Sequence, residues 1–129
     1  MTTILLVEED KNQRLLYEQE LGLEGYEIVT VDDGKEALEK VQERQPNLII
    51  MGINLPEEEG LDVIDRILSK NKDIPIIIYT AYSFYKDYFM SWLADAYIIK
   101  SSDLTELKNK IKELLTKETE VAKREVLNT

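Results

Sequence analysis

The sequence predicts an α/β fold: a doubly wound parallel sheet of five strands in the order 2-1-3-4-5, covered by helices on both faces in three layers. Three observations predict it. Short apolar runs rich in β-branched residues alternate from end to end with stretches of helical periodicity. The runs are nearly continuous in apolar character, as strands buried on both faces are. Five strand–helix units in succession require right-handed crossovers, which lay helices on either side of the sheet.

The elements follow in order. Ile4 to Val7 reads as the first strand and runs into Glu8. A first helix is expected over residues 12–23, where Leu15, Leu16, Leu21 and Leu23 fall near helical spacing. Ile28 to Val31 is the second strand, and residues 34–44 place Ala37, Leu38 and Val41 on one helical stripe. Leu48 to Met51 is a buried third strand that empties at Gly52 into a loop containing Pro56. Residues 60–70 form a third helix with Leu61, Val63, Ile64, Ile67 and Leu68 on one side. Ile74 to Thr80 and Ala96 to Ile99 are the last two strands, with a fourth helix expected between them over 83–94. Asp103 is placed to cap a fifth helix that starts at Leu104 and runs through Leu115. This is the flavodoxin-like (βα)5 arrangement. Its ligand crevice opens outside the carboxyl ends of the strands, where strands one and three are neighbours. Glu8, Glu9, Gly52, Thr80 and Lys100 all stand at strand ends and converge there.

Composition narrows the function. A chain of 129 residues fits one domain and buries roughly two-thirds of the surface its unfolded form would expose. With 43% hydrophobic residues, five Gly and three Pro, it is globular rather than disordered or fibrous. Sixteen basic residues against 26 acidic ones give a net charge of −10, which repels nucleic acid and anionic membrane surfaces. The absence of cysteine excludes disulfides, thiolate metal sites and cysteine catalysis. The absence of histidine removes the commonest general base and any phosphohistidine of the chain's own. The apolar run at the amino terminus is too short for a signal peptide or a membrane span, and a cytoplasmic location is expected.

Several motifs in order carry a family resemblance. Val7-Glu8-Glu9-Asp10 follows strand one, Met51-Gly52-Ile53-Asn54-Leu55-Pro56 follows strand three, Thr80-Ala81 closes strand four, and Tyr97-Ile98-Ile99-Lys100 spans strand five. The set resembles the receiver domains of bacterial two-component response regulators, over about residues 3–117. The resemblance implies that Gly52 stands where the family has its phosphoacceptor aspartate, and glycine can neither attack phosphorus nor ligate a metal. It implies that Glu8 and Glu9 match the acidic pair of the family's Mg²⁺ site, with Asn54 as its backbone-carbonyl ligand. Thr80 matches the switch hydroxyl, Lys100 the lysine that pairs with the phosphoryl group, and Tyr97 the rotamer-switching aromatic. Two further departures are Glu9, where the second acid is usually aspartate, and Ser101, where proline often follows the lysine. Mg²⁺ demands tight octahedral geometry, so the lost and displaced carboxylates predict no functional Mg²⁺ site and no other cofactor.

Beside each of these stands a plainer structural reading. Glu8 and Glu9 also suit a helix amino terminus, Lys100 suits a surface position or an ion pair with either acid, and Thr80 suits a hydroxyl bonded to backbone. Gly52 also suits a turn chosen for backbone freedom.

Aromatic residues crowd one segment: Tyr79, Tyr82, Phe84, Tyr85, Tyr88, Phe89, Trp92 and Tyr97 leave only Tyr17 and Tyr26 elsewhere. One helix face cannot bury them all. Phe89 and Trp92 are expected in the core, while Tyr82, Tyr85 and Tyr88 join Tyr97 on a face formed by the fourth helix, the fifth strand and the fifth helix. Such a surface suits a protein partner or a second copy of the chain. The division expected is a receiver domain over 1–117 and a tail over 118–129 that extends the last helix or links to an output domain.

The reading is a non-enzymatic signalling module: a receiver lacking its phosphoacceptor, acting by contact with a sensor histidine kinase or another signalling protein. An engineered, phosphorylation-deficient variant of an ordinary response regulator is the alternative. A flavodoxin-like ligand binder or enzyme is weaker, since no glycine-rich phosphate loop follows strand one.

Overall fold

A computed structural model describes residues 1–52, 60–70, 73–81 and 94–127, with backbone alone at 60, 61 and 117–127. Parallel pairing joins β1 (Thr3–Val7), β2 (Glu27–Val31), β3 (Leu48–Met51), β4 (Ile76–Thr80) and β5 (Ala96–Ile99) in the spatial order β2-β1-β3-β4-β5, as the sequence predicts. Register brings the carboxyl ends level. Val7 lies opposite Met51, Met51 opposite Ile78, and Thr80 opposite Ile99.

Alternation along each strand divides the core in two. Leu5, Val7, Ile49, Met51, Ile76 and Ile78 face one layer, with Val41 of α2 (Gly34–Arg44) and Val63, Ile64 and Ile67 of α3 (Gly60–Lys70). Ile4, Leu6, Leu48, Ile50, Ile77 and Tyr79 face the other. There they meet Tyr17 and Leu21 of α1 (Lys11–Gly22) and Leu107, Ile111 and Leu114 of the C-terminal helix (Thr105–Leu127). A sheet buried on both faces explains why its strands read as unbroken apolar runs.

Caps fix where the helices begin. Asp10 is extended and its carboxylate accepts the Gln13 N–H at 3.0 Å, while Asp33 accepts the Glu36 N–H at 2.8 Å. Each satisfies a donor that the first helical turn leaves over. Asp103 accepts both the backbone N–H and the hydroxyl of Thr105, at 2.9 and 2.6 Å. These bonds hold the Asp103 carboxyl below the usual carboxylate range. The C-terminal helix therefore starts one residue later than expected, and it continues past Leu115 to Leu127. After α1 the chain reverses at Gly25, whose φ of 97° lies in the left-handed region that favours glycine.

Two expectations are corrected. Of the leucines expected on the buried face of α1 only Leu21 is buried, joined there by Tyr17: Leu15, Leu16 and Leu23 are exposed at 54, 49 and 77%. Gln13, Arg14, Tyr17 and Leu21 share one stripe, and Leu15 and Leu16 fall on the far side of it. The fourth strand begins at Ile76 rather than Ile74, because Pro75 has no N–H to give a neighbouring strand. Its carbonyl does accept the Ile49 N–H at 3.0 Å. The fourth expected helix, apart from Ala94, and with it Tyr82, Phe84, Tyr85, Tyr88, Phe89 and Trp92, lies outside the described residues.

Candidate functional site

At the carboxyl end of the sheet, three backbone hydrogen bonds tie neighbouring strand ends together. The Gly52 N–H donates to Val7 O at 2.9 Å, Glu8 N–H to Val31 O at 3.1 Å, and Lys100 N–H to Thr80 O at 2.7 Å. These continue the strand ladders by one residue, so the side chains of Glu8 and Lys100 and the α-carbon of Gly52 are set by the sheet itself.

Glu8 is buried, only 4% exposed, and both of its carboxylate oxygens are engaged. Oε1 accepts from Lys100 Nζ at 2.6 Å, and Oε2 accepts the Asp10 N–H at 3.0 Å. Lys100 Nζ also donates to Gln13 Oε1 at 2.5 Å. A carboxylate withdrawn from water is tolerated when a cation and further donors replace the lost hydration, and Glu8 has both. The Arg14 guanidinium adds a second tie, donating from one nitrogen to the carbonyls of Glu8 and Glu9 at 2.9 and 3.1 Å. The loop after β1 is thus clamped from the first turns of α1.

Gln13 continues the network away from the crevice. Its Oε1 accepts from the Tyr17 hydroxyl at 3.3 Å, and the Tyr17 ring meets Tyr79 edge to face, 5.4 Å between centroids. The Tyr79 hydroxyl donates to Ser101 O at 3.3 Å, in the residue after Lys100. Burial raises the phenol pKa of both tyrosines above the ordinary value, with the neighbouring phenol adding to the effect at Tyr17.

Of the residues singled out in the sequence, the crevice brings together Glu8, Gly52 and Lys100. A β-carbon at Gly52 would lie 3.9 Å from Glu8 Oε1 and 3.3 Å from Val7 O, so position 52 borders the carboxylate of the pair. Lys100 pairs with Glu8. Glu9 is exposed and joins the site through its backbone carbonyl. Thr80 is buried, with its carbonyl bonded to Lys100 N–H. Tyr97 is buried in the layer shared with α2 and α3. Asn54 lies outside the described residues. Gln13, Arg14 and Tyr17 were not singled out, although the stripe they share on α1 was the available signal.

The residues described do not fit a divalent ion at this point. Each Glu8 oxygen already accepts a hydrogen bond, Gly52 offers no side-chain ligand, and an ammonium stands beside the carboxylate that would be the first ligand. Elsewhere, the carboxylates of Asp32, Asp33 and Glu36 come within 4.8 Å of one another, where Asp33 already serves as the cap of α2. Among the described residues no helix is long and apolar enough to cross a membrane.

Comparison with known proteins places this crevice in context. The family profile of the response regulator receiver domain matches residues 4–112. The probable transcriptional regulator ycf27 of Cyanophora paradoxa is 37% identical over 114 residues, 87% of this chain and 47% of that protein. The chain spans about half the length of the curated relatives it matches. Among solved structures, the response regulator TrrA of Thermotoga maritima in complex with Mg²⁺–BeF superposes with a TM-score of 0.84 at 45% identity, covering 88% of this chain and 99% of that one. TrrA in complex with the histidine kinase ThkA gives 0.82 at 45% identity, covering 89% and 99%.

Proposed function

The chain belongs to the response regulator receiver domain family of two-component signalling, and we propose that it is a member whose phosphoacceptor position is taken by Gly52, so that it signals by protein contact without being phosphorylated. The observation that carries this is the position of Gly52. It follows β3 at the carboxyl end of the sheet, where a β-carbon would lie 3.9 Å from Glu8 Oε1, the oxygen that Lys100 holds. Phosphoryl transfer to a receiver needs a nucleophile, and a glycine supplies none.

The other family positions take reduced roles in this reading. Thr80 and Lys100 are remnants of phosphoryl recognition, Glu8, Glu9 and Asn54 of a metal site without a resident ion, and Tyr97 of the aromatic switch. Lys100, which would neutralise charge on a transferred group, instead neutralises Glu8. The chain has no enzymatic activity of its own and works in the cytoplasm.

A histidine kinase is the partner class favoured, supported by the 45% identity to TrrA, whose complex with ThkA is a kinase–regulator pair. A second copy, docked through β5 and the C-terminal helix, is the other contact this reading allows. Residues 118–129 serve in this reading as an extension of the last helix or as a linker.

The test is labelling with a small-molecule phosphodonor and Mg²⁺, followed by peptide mapping. No acyl phosphate is expected. A stable adduct on Glu8, Glu9 or Asp10 would contradict the proposal.

A further inference from the structure

Lys100 Nζ is held between two unlike acceptors, a buried carboxylate oxygen of Glu8 at 2.6 Å and the neutral amide oxygen of Gln13 at 2.5 Å. The charge of this seat matches a monovalent cation. One ammonium against one carboxylate leaves the cluster neutral, whereas a divalent ion in the same place would leave a net positive charge withdrawn from water. An ammonium also presents several donors, which suits acceptors on two separate elements.

Gln13 is not a loose surface amide. Its backbone N–H is bound to Asp10, and its Oε1 takes the Tyr17 hydroxyl as well as the ammonium. The Tyr17 ring packs on Tyr79, which bonds Ser101 next to Lys100. The acceptor and the donor are therefore braced through the same pair of rings.

We propose that Gln13 is a positioning residue that seats the Lys100 ammonium on Glu8, making the chain's own lysine the resident cation of the crevice and excluding divalent metal from it. The inference rests on the reading of Gly52 as the vacated acceptor position. An acid there would add a second carboxylate and return the balance towards a divalent ion.

The test uses the full chain and Mn²⁺ as probe, titrated by electron paramagnetic resonance, for the wild type, Gln13→Met and Lys100→Met. Lys100→Met is expected to bind Mn²⁺ at least about tenfold more tightly than the wild type, with Gln13→Met shifted in the same direction. A second measurement reads the seat itself. The side-chain ammonium resonance of Lys100 in ¹H–¹⁵N spectra is expected to be protected from exchange in the wild type and lost in Gln13→Met, whose backbone amide spectrum reports that the fold is kept. Wild-type affinity equal to that of Lys100→Met overturns the proposal, and so does an unchanged ammonium signal in Gln13→Met. Mn²⁺ binding as tight in the wild type as in Lys100→Met, in a chain that takes no phosphate, would remove this inference and leave the receiver reading standing. Phosphoryl labelling of the wild type would remove that reading instead.

Discussion

The Lys100 ammonium lies 2.6 Å from Glu8 Oε1, joining residues 92 apart in sequence across the ends of β5 and β1. The Glu8 side chain is 6% exposed and that of Lys100 21%, so the carboxylate depends on its partner more than the ammonium does. Lys100→Met should therefore destabilise the protein by about 3 kcal/mol, because it leaves a buried charge unpaired. Glu8→Gln should cost less, since the ammonium keeps Gln13 and reaches water. The double variant should lose less than the sum of the single ones, by at least about 1 kcal/mol. Urea denaturation of the four proteins closes the cycle, and strict additivity would mean that the pair contributes nothing beyond its separate parts.

Position 52 separates steric from electrostatic effects. A β-carbon there meets the backbone oxygen of Val7 at 3.3 Å, a tight contact that requires a shift of a few tenths of an ångström and costs some stability. Replacing glycine also removes backbone entropy from the unfolded chain, worth roughly 0.4–1 kcal/mol in favour of the fold. Gly52→Ala is thus expected near neutral. Gly52→Asp adds a carboxylate beside Glu8 and should be less stable than Gly52→Asn without metal, by on the order of 1 kcal/mol. Denaturant midpoints in chelator measure this, and an aspartate variant more stable than the asparagine one would show that Lys100 outweighs the repulsion.

Alkaline pH acts through the buried phenols, Tyr17 above all. Burial raises its folded pKa above the unfolded value of about 10, so the folded state keeps the phenol proton that the unfolded chain releases. The stability this contributes is fully present below pH ~10 and is lost as pH rises beyond it, since the unfolded state then binds fewer protons. Tyr17→Phe should flatten this decline. Midpoints compared between neutral and strongly alkaline pH for both proteins check it, and equal slopes would argue that Tyr17 is not the group responsible.

The two sides of α1 should respond differently to truncation. Leu21 is fully buried, and Leu21→Ala should cost about 2–5 kcal/mol. Leu15 is 54% exposed, and Leu15→Ala should stay within about 0.5 kcal/mol of the wild type. Comparable losses at both positions would place the leucine side of α1 against the core after all.

That same helix shows where the sequence was hard to read. β3, β5, α2 and α3 were legible to the residue, the strands because their apolar runs are unbroken and the helices because their apolar residues recur at helical spacing. α1 was read from its leucines, yet it buries the stripe through Gln13, Arg14, Tyr17 and Leu21. Those polar residues face inward to serve the ends of β1 and β5, a demand set by residues far away in sequence. That Glu8, Gly52 and Lys100 converge was legible because topology alone gathers strand ends. Which acid Lys100 would take was not legible, since that choice depends on Glu8 pointing into the sheet while Glu9 points to water.

Whether position 52 is a vacated acceptor is decided by phosphoryl labelling, measured by intact mass. The wild type, Gly52→Asp and Gly52→Asp combined with Glu9→Asp are treated with the same phosphodonor and Mg²⁺. The account predicts no mass gain for the wild type and one phosphoryl group, mapped to position 52, on the double variant, with Gly52→Asp alone labelled more weakly because Glu9 is an imperfect ligand. A phosphoryl group on the wild-type chain would contradict it.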